Sequence, residues 1–359
     1  MPLIYLAGGG TGGHLFPGLA IADALVRRNN AVSVAFIGSY EGMDKEIIEP
    51  STYPLDMLSV GRGSPLQWRR PMNAPKFLLG LWQCWRLFRK KKPSAVIGLG
   101  GFAAAAPGII AKYMGIPLFL MEPNAFPGRV NRLLAKWAKG IFLNFEVTRS
   151  FFESESAEKI TTGSPVRSEF LFSIKQKGNE VTKDTIVVLG GSQGAKRLND
   201  LFIEGAKQIV ELGAKIVHVT GAMHYESVKE AYQTIGVEAE IMPFCTDVSA
   251  LLRGTGLAVA RSGSGTLSEL AIMGIPAILV PLSTAMDDHQ TANAKAYADA
   301  GGARIVDERV IDGDMLGKTV AELWTNVEER KRMSEVMLSL GKPMAAEDIA
   351  GYILAACVE

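Results

Sequence analysis

Cysteine and histidine are scarce in this chain of 359 residues, with three of the first and four of the second. Cys84, Cys245 and Cys357 are odd in number, far apart, and form no Cys-x-x-Cys pair. That spacing argues against a disulfide framework and a zinc site, and fits a reducing compartment. Net charge is nearly missing too, since 38 basic and 37 acidic side chains leave +1. No overall field recruits nucleic acid, so attraction to a charged surface must be local. Long hydrophobic runs are also wanting. The uncharged stretch 95–111 is slightly short for a membrane span, is interrupted by Gly98, Gly100, Gly101, Pro107 and Gly108, and ends at Lys112. It reads as a strand, a glycine turn and a helix. No basic leader precedes Leu3, so no signal peptide is expected.

What is present is the composition of a folded protein, 48% hydrophobic and 21% charged, which excludes disorder. At about 150 residues per domain the length suggests two domains.

Leu3 to Ala7 is a short apolar run that stops at Gly8 and leads into Gly9-Gly10-Thr11-Gly12-Gly13-His14. A helix is expected from near Pro17, because proline's missing N–H costs nothing in a first turn. Leu19, Ala22, Leu25 and Val26 recur at helical spacing, and Val32 to Ile37 is the next strand. The same order returns at Thr185 to Leu189, followed by Gly190-Gly191-Ser192-Gln193-Gly194, a helix from about Ala195 to Leu212, and Ile216 to Thr220. Ala95 to Leu99, Pro117 to Met121, Leu257 to Ala260 and Ala277 to Val280 are apolar runs of buried parallel-strand type. The fold expected is α/β, with two Rossmann-like doubly wound parallel-sheet domains facing a cleft. Residues 1–163 with 341–359 form the first domain, and 164–340 the second.

Glycine turns between strand and helix let a phosphate approach the backbone and the helix N-terminus. Gly8, Gly10 and Gly13 match the dinucleotide spacing, but no acid closes the second strand, which ends Ile37-Gly38-Ser39. That disfavours a nicotinamide site. Arg261-Ser262-Gly263-Ser264-Gly265-Thr266-Leu267-Ser268-Glu269 follows another strand. Its small residues suit a pyrophosphate, and Glu269 suits either a ribose diol or a solvated helix start. Asp287-Asp288-His289-Gln290 lies where ligands bind in open α/β sheets, or is a capped loop. Asp312-Gly313-Asp314 offers carboxylates to a divalent ion, but acid and glycine before a helix are ordinary turn and cap residues. Capping is the reading adopted, and no metal site is assigned.

Together these segments resemble the MurG family of UDP-GlcNAc-dependent glycosyltransferases of peptidoglycan synthesis. The likeness is carried by Gly9 to His14 with Pro17-Gly18, Gly100-Gly101-Phe102, Glu122-x-Asn124, Ser164-Pro165-Val166-Arg167, Gly190 to Gly194, Arg261 to Glu269, and Asp288-x-Gln290. It implies the two-Rossmann GT-B fold, with a C-terminal helix, here Ala345 to Val358, returning to the first domain. It implies inverting transfer of GlcNAc from UDP-GlcNAc to the 4-hydroxyl of MurNAc in undecaprenyl-pyrophosphoryl-MurNAc-pentapeptide, without a cofactor or an essential metal. By the same resemblance, Ser192, Gln193 and Gly194 contact the pyrophosphate. Ser264, Gly265, Thr266 and Leu267 form a backbone cradle, Glu269 holds the ribose, and Cys245 lies near the uracil. Arg167 is a nucleotide contact near the hinge, while Asn124 and Gln290 read GlcNAc hydroxyls. Thr11, Gly12 and Gly13 line the acceptor side, and His14 is either the general base or an orienting group. Met121 and Pro123 depart from the family's His-Glu-Gln-Asn. Another UDP-sugar transferase, an epimerase, or a non-catalytic nucleotide-sugar or lipid-binding module remain alternatives.

Leu66 to Lys92 mixes aromatic, aliphatic and basic residues and contains no acid. From Ala74 its apolar residues fall at helical spacing. A docking patch of Phe77, Leu81, Trp82, Trp85, Arg86, Arg89 and Lys90 on an anionic membrane is expected. The chain would then be peripheral, at the cytoplasmic face of the inner membrane.

Overall fold

The computed structural model describes residues 1–40, 43–60, 74–175, 183–191, 194–285 and 288–357. They form two compact units, Met1–Arg167 with Lys342–Glu359, and Ser168–Gly341. The first unit runs β1 (Leu3–Gly8), α1 (Gly12–Arg28), β2 (Ser33–Ser39), α2 (Asp44–Ile48), β3 (Leu55–Leu58) and α3 (Ala74–Lys91). It continues with β4 (Ala95–Gly100), α4 (Ala105–Tyr113), β5 (Leu118–Glu122), α5 (Arg129–Leu134), β6 (Gly140–Leu143) and β7 (Glu158–Thr161). The second opens with α6 (Ser168–Lys175), β8 (Thr185–Leu189), α7 (Lys196–Val210), β9 (Lys215–Val219), α8 (Tyr225–Ile235), β10 (Glu240–Met242) and α9 (Val248–Arg253). Then come β11 (Thr255–Ala260), α10 (Ser264–Met273), β12 (Ala277–Leu279), α11 (His289–Asp299), β13 (Ala303–Ile305), α12 (Gly313–Thr325) and α13 (Val327–Leu340). A last helix, α14 (Ala345–Cys357), belongs to the first unit.

The first sheet has seven strands in the order β3-β2-β1-β4-β5-β6-β7, and the second has six in the order β10-β9-β8-β11-β12-β13. Both are parallel throughout, and helices cover their faces, so the central strands read as unbroken apolar runs. On one face of the first sheet Phe88, Ile110 and Leu134 share a core. On the other, Ile21 and Leu25 of α1 meet Ala346, Ile349 and Ile353 of α14. Arg27 and Arg28 both donate to the Glu347 carboxylate, which anchors α14 on α1.

In each sheet the strand order reverses at the centre, between β1 and β4 and between β8 and β11. Loops leaving the carboxyl ends of such neighbouring strands diverge to opposite faces and open a crevice for ligands. Both glycine loops therefore sit at switch points.

Two expectations need correction. The first helix begins at Gly12 rather than near Pro17, because Gly12 and Gly13 adopt helical geometry. Pro17 sits in the second turn, where it removes the N–H that would pair with the Gly13 carbonyl. On α3, Phe77 is only 8% exposed and packs into the core with Cys84 and Phe88, while Leu81 is half-buried against that core. The outward stripe is instead Leu78, Leu79, Trp82 (52% exposed) and Trp85 (41% exposed). Arg86 stacks on Trp82, and Arg89 stacks on Trp85. Trp68, Arg69 and Arg70 lie outside the described residues. No described helix is long and apolar enough to cross a membrane.

One buried polar chain ties the second sheet to its helices. His218 of β9 pairs through Nδ1 with the Tyr232 hydroxyl at 2.9 Å and through Nε2 with Asn199 Oδ1 at 3.1 Å. Burial pushes the His218 pKa down to about 3. The unfolded chain therefore takes up a proton near pH 6.5 that the fold refuses, and stability falls as pH drops below that value. For such a shift the loss at pH 5 is about 2 kcal/mol. His218→Gln should flatten the fall in unfolding free energy between pH 7 and pH 5 by that amount. An unchanged slope would mean that the imidazole is not the titrating group.

Candidate functional site

At the first switch point Gly8 of β1 pairs with Gly100 of β4. Thr11 is the extended residue before α1, and its hydroxyl lies 3.2 Å from His14 Nδ1. The imidazole rests on the Gly100–Gly101 turn. A Cβ at Gly100, where φ is +99°, would come within 3.0 Å of His14 Cδ2, so only glycine fits both the backbone and the ring. A proton on Nδ1, donated to Thr11, leaves the lone pair on Nε2. That is the tautomer a general base requires.

Two buried carboxylates hold the surrounding loops. Asp44 accepts N–H bonds from Gly10 and Ser39, both at 2.7 Å, and so fastens the β1–α1 loop to the end of β2. Gly9 passes so close that a Cβ there would overlap the carboxylate. Glu122 accepts from the Asn124 and Gly128 backbone and from Asn131 Nδ2. Burial raises its pKa, and these bonds pull it back toward the ordinary range. Asn131 also lies beside Gly100, so Asn124 is linked through Glu122 and Asn131 to the turn beneath His14. Arg167 belongs to the same unit, with its guanidinium 4.9 Å from the centre of the Phe16 ring of α1.

At the second switch point Arg261 N–H donates to the Leu189 carbonyl, joining the ends of β8 and β11. The turn after β8 closes with a Gly194 N–H bond to Gly191 O. Gly194 has φ +74° and packs against the Thr220 carbonyl. Ser192 and Gln193 lie outside the described residues. Gly263 precedes α10 and brings no capping side chain, so the first-turn N–H groups of Ser264, Gly265 and Thr266 are not met by a side-chain cap. Leu267 is wholly buried, and its N–H already bonds Gly263 O. Glu269 stands half-buried in the second turn, beyond the main reach of the helix dipole, so a dipole-favoured helix-start acid does not describe it.

Gln290 is brought to this end by two bonds. Its carbonyl accepts from Ser262 Oγ at 2.8 Å, and its side-chain Oε1 accepts from Leu282 N–H at 3.0 Å. Asn293 Nδ2 donates to the Ser262 carbonyl. Beneath them Arg261 holds the Val280 and Pro281 carbonyls and pairs with Glu308 at 2.6 Å. Glu308 also accepts from the Ser283 backbone and hydroxyl. These bonds keep its pKa low against the opposing effect of burial. Cys245 is half-buried in the loop between β10 and α9. Asp312 caps α12 by accepting from Met315 N–H, and Asp314 pairs with Lys318, as the capping reading requires.

This geometry sits on matching relatives. The N-terminal domain of glycosyltransferase family 28 matches residues 4–143, and its C-terminal domain matches 185–349. The Myxococcus xanthus UDP-N-acetylglucosamine–N-acetylmuramyl-(pentapeptide) pyrophosphoryl-undecaprenol N-acetylglucosamine transferase is 34% identical over 98% of this chain and 92% of that protein. The Hahella chejuensis protein of the same name is 35% identical, covering 97% and 96%. The chain belongs to the MurG family. The crystal structure of Acinetobacter baumannii MurG superposes with a TM-score of 0.78 at 27% identity, covering 99% of this chain and all of that one. A putative UDP-N-acetylglucosamine 2-epimerase from Listeria monocytogenes reaches 0.73 at 15% identity, over 99% and 96%, and shares the fold.

Within the family frame, the departure at Met121 has a structural reason. This residue is in β5, buried in the sheet core among apolar side chains. Pro123 still serves through its carbonyl, which accepts from Asn144. Asp44, Asn131, Asn293 and Glu308 are the residues that sequence reasoning passed over. Each is a single polar residue with no spacing partner, and only its burial gives it away.

Asp44→Ala should destabilise the fold strongly. It leaves two N–H groups without their acceptor, at about 1–3 kcal/mol each. Denaturant unfolding measures the change, and a variant within about 0.5 kcal/mol of the parent would remove Asp44 from this role.

Proposed function

We propose that this protein transfers GlcNAc from UDP-GlcNAc to the 4-hydroxyl of the MurNAc in undecaprenyl-pyrophosphoryl-MurNAc-pentapeptide. The observation that carries this is the second switch point, where an uncapped helix N-terminus, a glycine turn and Glu269 converge. It is supported by the full-length likeness to transferases of that name. In this reading the α10 N–H groups and the Gly194 turn take the diphosphate, and the Glu269 carboxylate takes the ribose diol. With its Oε1 engaged by Leu282, Gln290 offers its amide donors to the sugar.

The reaction is a single displacement with inversion. The acceptor oxygen attacks the anomeric carbon as the bond to UDP breaks, and His14 Nε2 takes the hydroxyl proton. Helix N–H groups meet the charge that develops on the departing diphosphate, which lowers the barrier where charge changes most. Asn124 reads a GlcNAc hydroxyl, Thr11 to Gly13 serve the acceptor side, and Arg167, stacked on Phe16, is placed beside the helix that carries His14.

A lipid-linked acceptor requires access to a membrane. Leu78, Leu79, Trp82 and Trp85, fringed by Arg86, Arg89 and Lys90, suit insertion among anionic headgroups at the cytoplasmic face. The direct test supplies UDP-GlcNAc, a short-chain lipid-linked MurNAc-pentapeptide and a chelator, then looks for UDP and a β-linked disaccharide. Donor binding without either product would sink the transferase reading.

His14→Ala should lower kcat by about 10²–10⁴-fold with little change in donor affinity, as a transition-state group does. Glu269→Ala should raise the Kd for UDP-GlcNAc instead. Normal turnover in the first, or an unchanged Kd in the second, removes that residue from its role. Replacing Trp82 and Trp85 together by serine should cut flotation with phosphatidylglycerol vesicles at least about tenfold. Flotation equal to the parent's would rule out this helix as the docking element.

A further inference from the structure

Of the four histidines in the chain, His218 alone is buried. It stands in β9 between two helices, and each helix supplies a buried polar partner, Asn199 from α7 and Tyr232 from α8. The donors and acceptors in this group run in one direction. Asn199 Nδ2 donates to the Thr220 carbonyl at 3.1 Å, which leaves Asn199 Oδ1 as the acceptor facing His218. His218 Nε2, 3.1 Å from that oxygen, therefore carries the ring proton. Its Nδ1 then accepts from the Tyr232 hydroxyl at 2.9 Å. Burial keeps the ring neutral, and Phe202 packs edge-on against it with 5.8 Å between ring centres.

The relay ends at the glycine turn of the second switch point. Thr220 follows the last residue of β9, and Gly194 is pressed against its carbonyl so closely that a Cβ would lie 2.5 Å from the oxygen. Asn199 sits in the first turn of α7, the helix that this glycine turn leads into. One side chain thus ties the start of the helix to the strand end against which the turn rests. From the other side, Thr220 N–H donates to the Met242 carbonyl at the end of β10, so the strand end cannot drift away. A ligand loop keeps its geometry when the residues beneath it are themselves locked.

We infer that His218 is a positioning residue for the donor diphosphate. With Tyr232 behind it, His218 orients Asn199 so that the Thr220 carbonyl stays against Gly194 and the β8–α7 turn holds its shape. This rests on the reading of that turn as a diphosphate site and adds the buried relay that shapes it. A role confined to stability would leave ligand preference unchanged. A positioning role acts on the phosphates and spares the nucleoside.

Titration of UDP and of uridine into the full chain near neutral pH separates the two. In His218→Leu, which removes both ring nitrogens, the Kd for UDP should rise at least about tenfold while that for uridine stays within about twofold, as for a lost buried hydrogen bond that serves the phosphates alone. His218→Gln keeps an N–H donor within reach of Asn199 and should recover most of the UDP affinity. Should the leucine variant fail to fold, the parent labelled with ¹⁵N-histidine carries the test alone. His218 should show the Nε2–H tautomer, and its ring signals should shift with UDP and stay still with uridine. Parental UDP affinity in His218→Leu, an equal loss for UDP and uridine, a glutamine variant as weak as the leucine one, an Nδ1–H tautomer, or ring signals indifferent to UDP each overturns the positioning role. A parent that binds neither ligand overturns the donor-site reading itself, and this inference with it.

Discussion

Parallel sheets send their strand-to-helix loops from the carboxyl ends of the strands, and those loops carry backbone N–H groups that no strand satisfies. In this protein buried carboxylates answer them. Asp44 takes the N–H groups of Gly10 and Ser39, Glu122 takes those of Asn124 and Gly128, and Glu308 takes that of Ser283. Each acid sits beneath a loop that leaves the carboxyl end of a strand. A buried acceptor left unpaired costs heavily, and so does a donor. The carboxylates and the loops therefore fix one another, and the loop residues above them inherit that order.

The glycine loops were legible in the sequence because their chemistry is periodic. A short apolar run, several glycines and an apolar helix stripe repeat half a chain apart, and both copies mark switch points. Strand positions such as Thr185–Leu189 followed from the same alternation. The start of α1 did not. Proline is read by habit as a first-turn residue, yet Gly12 and Gly13 let the helix begin earlier. Asp44 and Glu308 were not legible either. A lone acid after a strand looks the same whether it caps, faces water or is buried beneath a loop, and only tertiary packing decides.

A related ambiguity governed α3. With apolar residues on two stripes, spacing alone says that a helix forms but not which stripe meets the sheet. Burial assigns Phe77, Cys84 and Phe88 inward and Leu78, Trp82 and Trp85 outward. The outward stripe is flanked by guanidinium groups that lie on the indole faces, an arrangement that keeps the cations near an apolar surface without burying them.

The contrast between the two switch points bears on which of them receives the nucleotide. At the first, the Gly10 N–H is already committed to Asp44, and a carboxylate lies directly under the glycines. A diphosphate placed there meets one donor fewer and a negative charge nearby. At the second, no acid stands in the first turn of α10, no side chain caps it, and the Arg261 guanidinium lies beneath the neighbouring strand ends. Arg261 is neutralised in part by Glu308, so it shapes the floor more than it attracts. The balance of donors and charge therefore favours the diphosphate at the second unit. In the proposed reading that leaves the first unit, with His14 beside its glycine turn, for the acceptor.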